Sequence, residues 1–316
     1  MSDANPYVRP DVKVLLDMLV AMGGPKMNEI PLADARASYT QMGLLVEADP
    51  VPLATITDLA CPGPRGDIPL RLYDPRSERA PGPVVMFYHG GGFVIGDLDS
   101  HHALCTTIAA ELDLPVVAVH YALAPENPFP ASDEDCIAAT RWVAENGPTL
   151  GREATGIVTM GDSAGGHLAI VVAQQLAKSQ AKAPVILQVP IYPATDESSD
   201  GSMAQFADGY LLTKETMDWF MDCYAPVAGN PLAYPIHGEQ AGSPPTLLVT
   251  ASLDPLRDQG RRYAAALVAA GVECHFMEMK GSVHGFVNLR KAVPSTQADL
   301  LAILAQAKLM LARISA

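Results

Sequence analysis

The chain is short of positive charge. Its 21 Lys and Arg stand against 35 Asp and Glu, a formal charge of −14 at pH 7. Phosphate binding needs clustered cations, so no nucleic-acid partner is expected, and an anionic membrane surface is disfavoured on the same ground. There is no CxxC pair. Cys61, Cys105, Cys136, Cys223 and Cys274 are irregularly spaced, which speaks against zinc-knuckle and redox motifs and reads as buried free thiols of a reducing compartment. No apolar run approaches the ~18–20 residues that span a bilayer; Lys13 and Asp17 break the early ones, Gln306 and Lys308 the late ones. The opening MSDANPYVRPD has no apolar signal core, so a cytoplasmic location is expected. Repeats and low-complexity tracts are absent. His101 and His102 have no third ligand at metal spacing, so neither a metal nor a cofactor is expected.

Apolar residues are plentiful, at 49% of 316. That excludes disorder and leaves room for one domain of roughly 250 residues or two of roughly 150. Before position 50 the spacing is helical. Val12, Leu15, Leu16, Leu19 and Val20 predict a helix over 11–22, stopped by Gly23-Gly24-Pro25, and a second is expected over about 31–47. Beyond Pro50, strand-like and helix-like runs alternate. The runs at 83–88, 116–119, 156–160, 185–189 and 246–250 are continuous and rich in β-branched residues, as strands buried on both faces of a parallel sheet are. The run 68–73 alternates, like a strand with one exposed face, and 274–279 is the last strand expected. Helices are expected over 101–111, 132–145, 164–178, 257–270 and 295–314. This order predicts an α/β fold with a mostly parallel central sheet and helices on both faces. The stretch 196–237 interrupts it with Phe206, Tyr210, Trp219, Phe220, Tyr224, Met203, Met217 and Met221. It reads equally as a surface excursion with its own small core or as a lid over an apolar pocket.

Four short motifs carry chemistry. Gly161-Asp162-Ser163-Ala164-Gly165-Gly166 sits between an expected strand and an expected helix, the setting of a nucleophile elbow, which lifts the Ser163 hydroxyl above the sheet at a helix N-terminus. His89-Gly90-Gly91-Gly92-Phe93 follows another strand. Its glycines bring backbone N–H groups close to a developing oxyanion, with Gly91, Gly92 and Ala164 as the candidate donors. A dinucleotide GxGxxG does not fit there, because position 95 is Ile. His284 lies in Gly281-Ser282-Val283-His284-Gly285-Phe286 and is the candidate base; Asp254, directly after a strand in Leu253-Asp254-Pro255-Leu256-Arg257-Asp258, is the candidate acid. Asp258 competes with it but lies a full turn into the next helix. The order Ser, Asp, His is that of an α/β-hydrolase triad. His89, Gly90, Asp162 and Asp258 are read as supporting residues, and His101, His102, His120, His167, His237 and His275 as structural.

With HGGGF at 89–93, YALAPE at 121–126, GDSAGG at 161–166, DPLRD at 254–258 and HGF at 284–286, the chain resembles the hormone-sensitive-lipase family of serine hydrolases. This is family IV among bacterial esterases, here in its GDSAGG subgroup, and the likeness runs from about residue 50 to 315. The resemblance implies a Ser163–His284–Asp254 triad with Gly91, Gly92 and Ala164 as oxyanion hole. It also implies a helical cap from 1–50 and 196–237 over a catalytic domain of 51–195 and 238–316. Phe93, Tyr192, Phe206, Tyr210, Trp219 and Phe220 are the candidate pocket residues. The expected activity is hydrolysis of small-molecule carboxylic esters with short to medium acyl chains. An amidase or deacetylase of acylated small molecules is the alternative; a non-catalytic binding relative would lack the triad histidine, which is present here. Dimers through the last strand, an apolar edge, are implied as well.

Overall fold

The structure is a computed structural model that describes residues 6–179, 181–199 and 201–314. Residues 1–5 and 200 of the expected cap pieces, and 180, 315 and 316 of the expected catalytic segments, lie outside the described residues. Eight strands form one sheet: β1 (Thr55–Gly63), β2 (Gly66–Asp74), β3 (Gly82–Tyr88), β4 (Val116–Val119), β5 (Ala154–Asp162), β6 (Val185–Ile191), β7 (Thr246–Leu253) and β8 (Cys274–Val283). Their spatial order is β1-β2-β4-β3-β5-β6-β7-β8. β1 with β2 and β2 with β4 are antiparallel; every other neighbouring pair is parallel.

The helices are α1 (Pro10–Met22), α2 (Leu32–Val46), α3 (His102–Leu112), α4 (Ala131–Glu145), α5 (Gly147–Leu150), α6 (Ala164–Lys178), α7 (Ser202–Gln205), α8 (Lys214–Tyr224), α9 (Arg257–Ala269) and α10 (Ser295–Ile314). α4 and α6 cover one face of the sheet with Cys136, Ala139, Val143, Leu168 and Val172. α3 and α10 cover the other with Leu104, Ile108, Leu300, Ile303, Ala307 and Met310. All of β4 is buried, so its run of apolar residues needs no polar alternation. β1 was not foreseen. It is an antiparallel edge strand whose residues are mostly exposed, so it carries little of the apolar patterning that marks the central strands.

The two segments that flank the sheet at 1–50 and 196–237 touch each other, through Lys26 and Asn28 on Glu215. α2 is tied down along one side. Arg36 donates to the carbonyls of Val94 (2.9 Å) and Ala124 (2.9 Å), and Thr40 to Asp97 (2.8 Å). At its C-terminal end Glu47 pairs with Arg290 at 2.5 Å, both side chains at most 5% exposed. Arg290 also donates to Thr107 at 2.8 Å. One buried charge left without its partner is far costlier than losing both. Arg290→Met is therefore expected to cost about 3–5 kcal/mol in urea unfolding, and adding Glu47→Leu to it should recover most of that loss.

Candidate active site

β5 ends in a turn that only small residues permit. A Cβ at Gly165 would stand 1.8 Å from the Tyr88 carbonyl oxygen, and one at Gly161 2.3 Å from the Gly165 oxygen. Ser163, between them, has φ +57° and ψ −118°, a conformation costly for any side chain and kept only where the surroundings enforce it. Its N–H donates to Ile191 (2.9 Å) and its carbonyl accepts from His167 (3.0 Å), so the backbone is pinned from both sides. The hydroxyl is left for His284, whose Nε2 lies 2.8 Å from Ser163 Oγ.

His284 follows β8 and Asp254 follows β7, so all three groups stand at C-terminal strand ends, where open α/β sheets hold their sites. Asp254 is fully buried. One of its oxygens accepts the Leu256 N–H at 2.8 Å and the other faces His284 Nδ1 at 2.7 Å. A carboxylate only accepts, so the imidazole proton belongs on Nδ1 and the Nε2 lone pair faces the serine hydroxyl.

The 89–93 loop folds over the same turn. Gly91 has φ +120° and Gly92 φ +59°, and a Cβ at Gly91 would stand 2.1 Å from the Ile95 carbonyl. The Gly91 carbonyl accepts from Val94 and Ile95, both at 3.0 Å. Among the described residues no acceptor takes the N–H groups of Gly91 or Gly92. Ala164, as the first residue of α6, has no intrahelical acceptor either. All three N–H groups, on the two loops that meet at Gly90 and Asp162, are thus left without an acceptor among the described residues.

Asp162 ties these parts together. Its Oδ1 accepts the Gly90 N–H at 2.9 Å and lies 3.2 Å from His101 Nε2. Its Oδ2 accepts from Tyr192 and Asn288, each at 3.4 Å. Tyr192 in turn packs on the His284 ring, centroids 4.6 Å apart. Burial alone would raise the Asp162 carboxyl, but His101 and the Gly90 N–H outweigh it and hold the group below the ordinary carboxylate range. His101, read from sequence as structural, is thus a partner of the residue before the nucleophile. Nothing in the linear chain announces that contact, which depends on how α3 docks. His89 is held neutral: burial, with His101 and His120 nearby, pushes it down to about 3. Its Nδ1 lies 2.8 Å from the Gly90 oxygen and its ring stacks on Tyr121.

The other candidates separate. Asp258 does not reach the triad; it pairs with Arg257 and Arg261 and accepts the Ser202 N–H, joining α7 to α9. Phe206 lies in a core with Val12, Leu15, Leu253 and Val283, with Tyr210 edge-on against it. An aromatic on the insertion fits core as well as pocket, and here burial against α1 took it. Phe220 does reach the site: its ring lies so close over Gly92 that a Cβ there would come within 2.2 Å. Trp219 sits beside Phe220, centroids 5.1 Å apart, and Phe93 is buried between Tyr224 and His167. Leu211, which a search for aromatics passes over, is 40% exposed at φ +73° and lies 3.9 Å from where a Gly285 Cβ would stand. A cavity of about 440 Å³ opens beside Tyr121, Arg36 and Arg65, and one of about 430 Å³ beside Tyr7, Phe206 and Arg257; neither is lined by Ser163, Asp254 or His284. Among the described residues no three His, Cys, Asp or Glu side chains are grouped to hold a metal ion, and no helix is long and apolar enough to cross a membrane.

A family model described as the alpha/beta hydrolase fold matches residues 85–288. The carboxylic ester hydrolase LipN of Mycobacterium tuberculosis is 42% identical over 273 residues, covering 81% of this chain and 71% of its own. The ethyl acetate hydrolase of Pseudomonas putida is 35% identical over 285 residues, covering 88% and 90%. Among solved structures, a thermostable esterase from Pseudomonas putida superposes with a TM-score of 0.91 at 32% identity, covering 98% of this chain and 99% of that one.

Asp162→Asn keeps the shape of the side chain but removes the charge that Gly90 and His101 face. We expect a loss of about 1.5–3 kcal/mol in stability, the worth of a charge-assisted hydrogen bond. A depressed carboxyl contributes stability that is complete above its unfolded value and lost as pH falls through its folded one. The gap between the two proteins should therefore stay flat above about pH 5 and narrow only below about pH 4, as urea unfolding across pH measures.

Proposed function

The chain belongs to the alpha/beta-hydrolase family, in its hormone-sensitive-lipase-like branch, and from that premise we propose a serine carboxylesterase whose chemistry is carried by Ser163, His284 and Asp254. The observation that carries this reading is the unbroken chain of short contacts from Asp254 to His284 (2.7 Å) to Ser163 (2.8 Å), beside three unspent backbone donors. His284 takes the Ser163 proton as Oγ attacks the ester carbonyl. The resulting oxyanion is received by the N–H groups of Gly91, Gly92 and Ala164. His284 then gives its proton to the leaving alcohol, and a water activated by the same imidazole releases the acid from the acyl-enzyme. Asp254 stays ionised and holds the tautomer.

Segments 1–50 and 196–237 act as a cap over a catalytic domain of 51–195 and 238–316. Contacts between Lys26, Asn28 and Glu215 support a single cap made of both pieces. Phe220 over Gly92 and Leu211 beside Gly285 narrow the space around Ser163, which favours short to medium acyl chains; the likeness to an ethyl acetate hydrolase supports the same size class. A cytoplasmic location fits the free, irregularly spaced cysteines. A homodimer through β8 fits the edge position of that strand and its 42% exposed Phe276.

Ser163→Ala is expected to lower kcat on p-nitrophenyl acetate by about 10⁴–10⁶; near-normal turnover by that variant overturns the assignment. Phe220→Ala removes a wall of the pocket. Measured over p-nitrophenyl acetate, butyrate, octanoate and palmitate, it should move the optimum toward longer chains. The octanoate-to-acetate ratio of kcat/KM should rise about tenfold, the worth of one or two newly buried methylenes.

A further inference from the structure

Asp133 stands in the first turn of α4, is fully buried, and has no part in the triad. Its Oδ2 accepts the Tyr224 hydroxyl at 2.8 Å and the Ser132 hydroxyl at 3.2 Å. Its Oδ1 faces His167 Nε2 at 3.5 Å, and neither of those two atoms has a hydrogen-bond partner. His167 lies one turn after Ser163 on α6, with Nδ1 at 3.1 Å from the Ala194 carbonyl. A carbonyl only accepts, so Nδ1 carries the proton and the Ala194 carbonyl fixes the ring; Nε2 makes no hydrogen bond with Asp133.

These side chains enclose Phe93. Its ring stacks on Tyr224 with centroids 3.9 Å apart and planes 9° off parallel, and meets His167 edge-on at 5.2 Å. Phe93 directly follows Gly92 and has φ +65°. A non-glycine residue holds such a conformation only when its surroundings over-determine it, and here the surroundings are two rings, Tyr224 held by the Asp133 carboxylate and His167 by the Ala194 carbonyl. Tyr224 also ends α8, one helical turn after Phe220, whose ring lies on Gly92. The Phe129 N–H on the Tyr224 carbonyl, at 2.8 Å, fixes the backbone there. An apolar residue would fill the place of Asp133 without the cost of burying a charge. What the carboxylate adds is direction: it sets where the Tyr224 ring stands.

We propose that Asp133 is a positioning residue that, through Tyr224, couples the cap helix α8 to the oxyanion loop by holding Phe93 in its strained conformation. The proposal rests on the reading of Gly91 and Gly92 as oxyanion donors. Tyr224→Phe keeps the ring stack and removes only the hydroxyl. On p-nitrophenyl acetate its kcat should fall about tenfold, a fraction of the loss of one oxyanion donor, while KM changes less than twofold. Asp133→Asn should do the same, and the double variant should be no worse than either single one, since both act on one linkage. Unfolding curves at the assay temperature establish that each variant is folded; should Tyr224→Phe not fold, Asp133→Asn carries the test. An unchanged kcat, or a rise in KM with kcat intact, overturns the coupling, because a residue that merely anchors the cap would give those results. Ser163→Ala in the same assay separates the two readings. If it stays active, the reading of the site fails; if it is dead and the Asp133 and Tyr224 variants match the parent, only the coupling fails.

Discussion

The contact on which the site depends is the approach of the Tyr88 carbonyl to Gly165, where even a methyl group would stand 1.8 Å from the oxygen. β3 and β5 are parallel neighbours with Tyr88 opposite Gly161. That register brings the strand ends of 88 and 162 side by side, so the loop after one and the turn after the other leave the sheet together. Because α6 begins so close to β3, the chain has no room for a relaxed turn, and Ser163 takes the strained conformation that presents its hydroxyl. Asp162 then fastens the neighbouring loop through Gly90. The Ser163 turn and the 89–93 loop are thus set by one packing distance, with the Asp162 carboxylate as a brace.

The contacts among Ser163, His284 and Asp254 and the tight glycine turns were legible because their signal is local. A strand, a turn of small residues and a helix in sequence leave few conformations for Ser163, and Asp254 and His284 are marked by the strands they follow. The central strands were legible for a similar reason: burial on both faces writes itself into composition. What escaped the sequence depends on docking. His101 is one of eight histidines, and only the placement of α3 sets it beside Asp162. Phe206 and Phe220 are alike in type and neighbourhood, yet one fills a core with α1 and the other lies on Gly92. The choice is made by which helix face turns inward. β1 escaped because an exposed antiparallel edge requires little apolar patterning.

Buried charge in this molecule sits where separate segments have to be held in register. Glu47 and Arg290 join the end of α2 to the loop before α10. Asp162 joins the loops after β3, β5, β6 and β8. Asp133 joins α4 to α8. Apolar packing supplies most of the free energy but tolerates sliding, whereas a hydrogen-bonded carboxylate specifies one arrangement. The overall charge of −14 has no counterpart at Gly91, Gly92 and Ala164, whose unspent groups are neutral backbone N–H donors.

The first helix of the chain is clasped to its last strand. The Arg9 N–H bonds the Gly281 carbonyl, its guanidinium reaches the Lys280 carbonyl 271 residues away, and Val12 and Leu15 pack on Leu253, Val283, Leu289 and Val293. In biosynthesis, therefore, this helix is made about 270 residues before the strand it packs on and finds its place only after it. Its apolar stripe stays in water until the His284 loop has been made. The nascent chain carries that exposed helix throughout the interval, and completing the strand that the histidine follows is also what buries it.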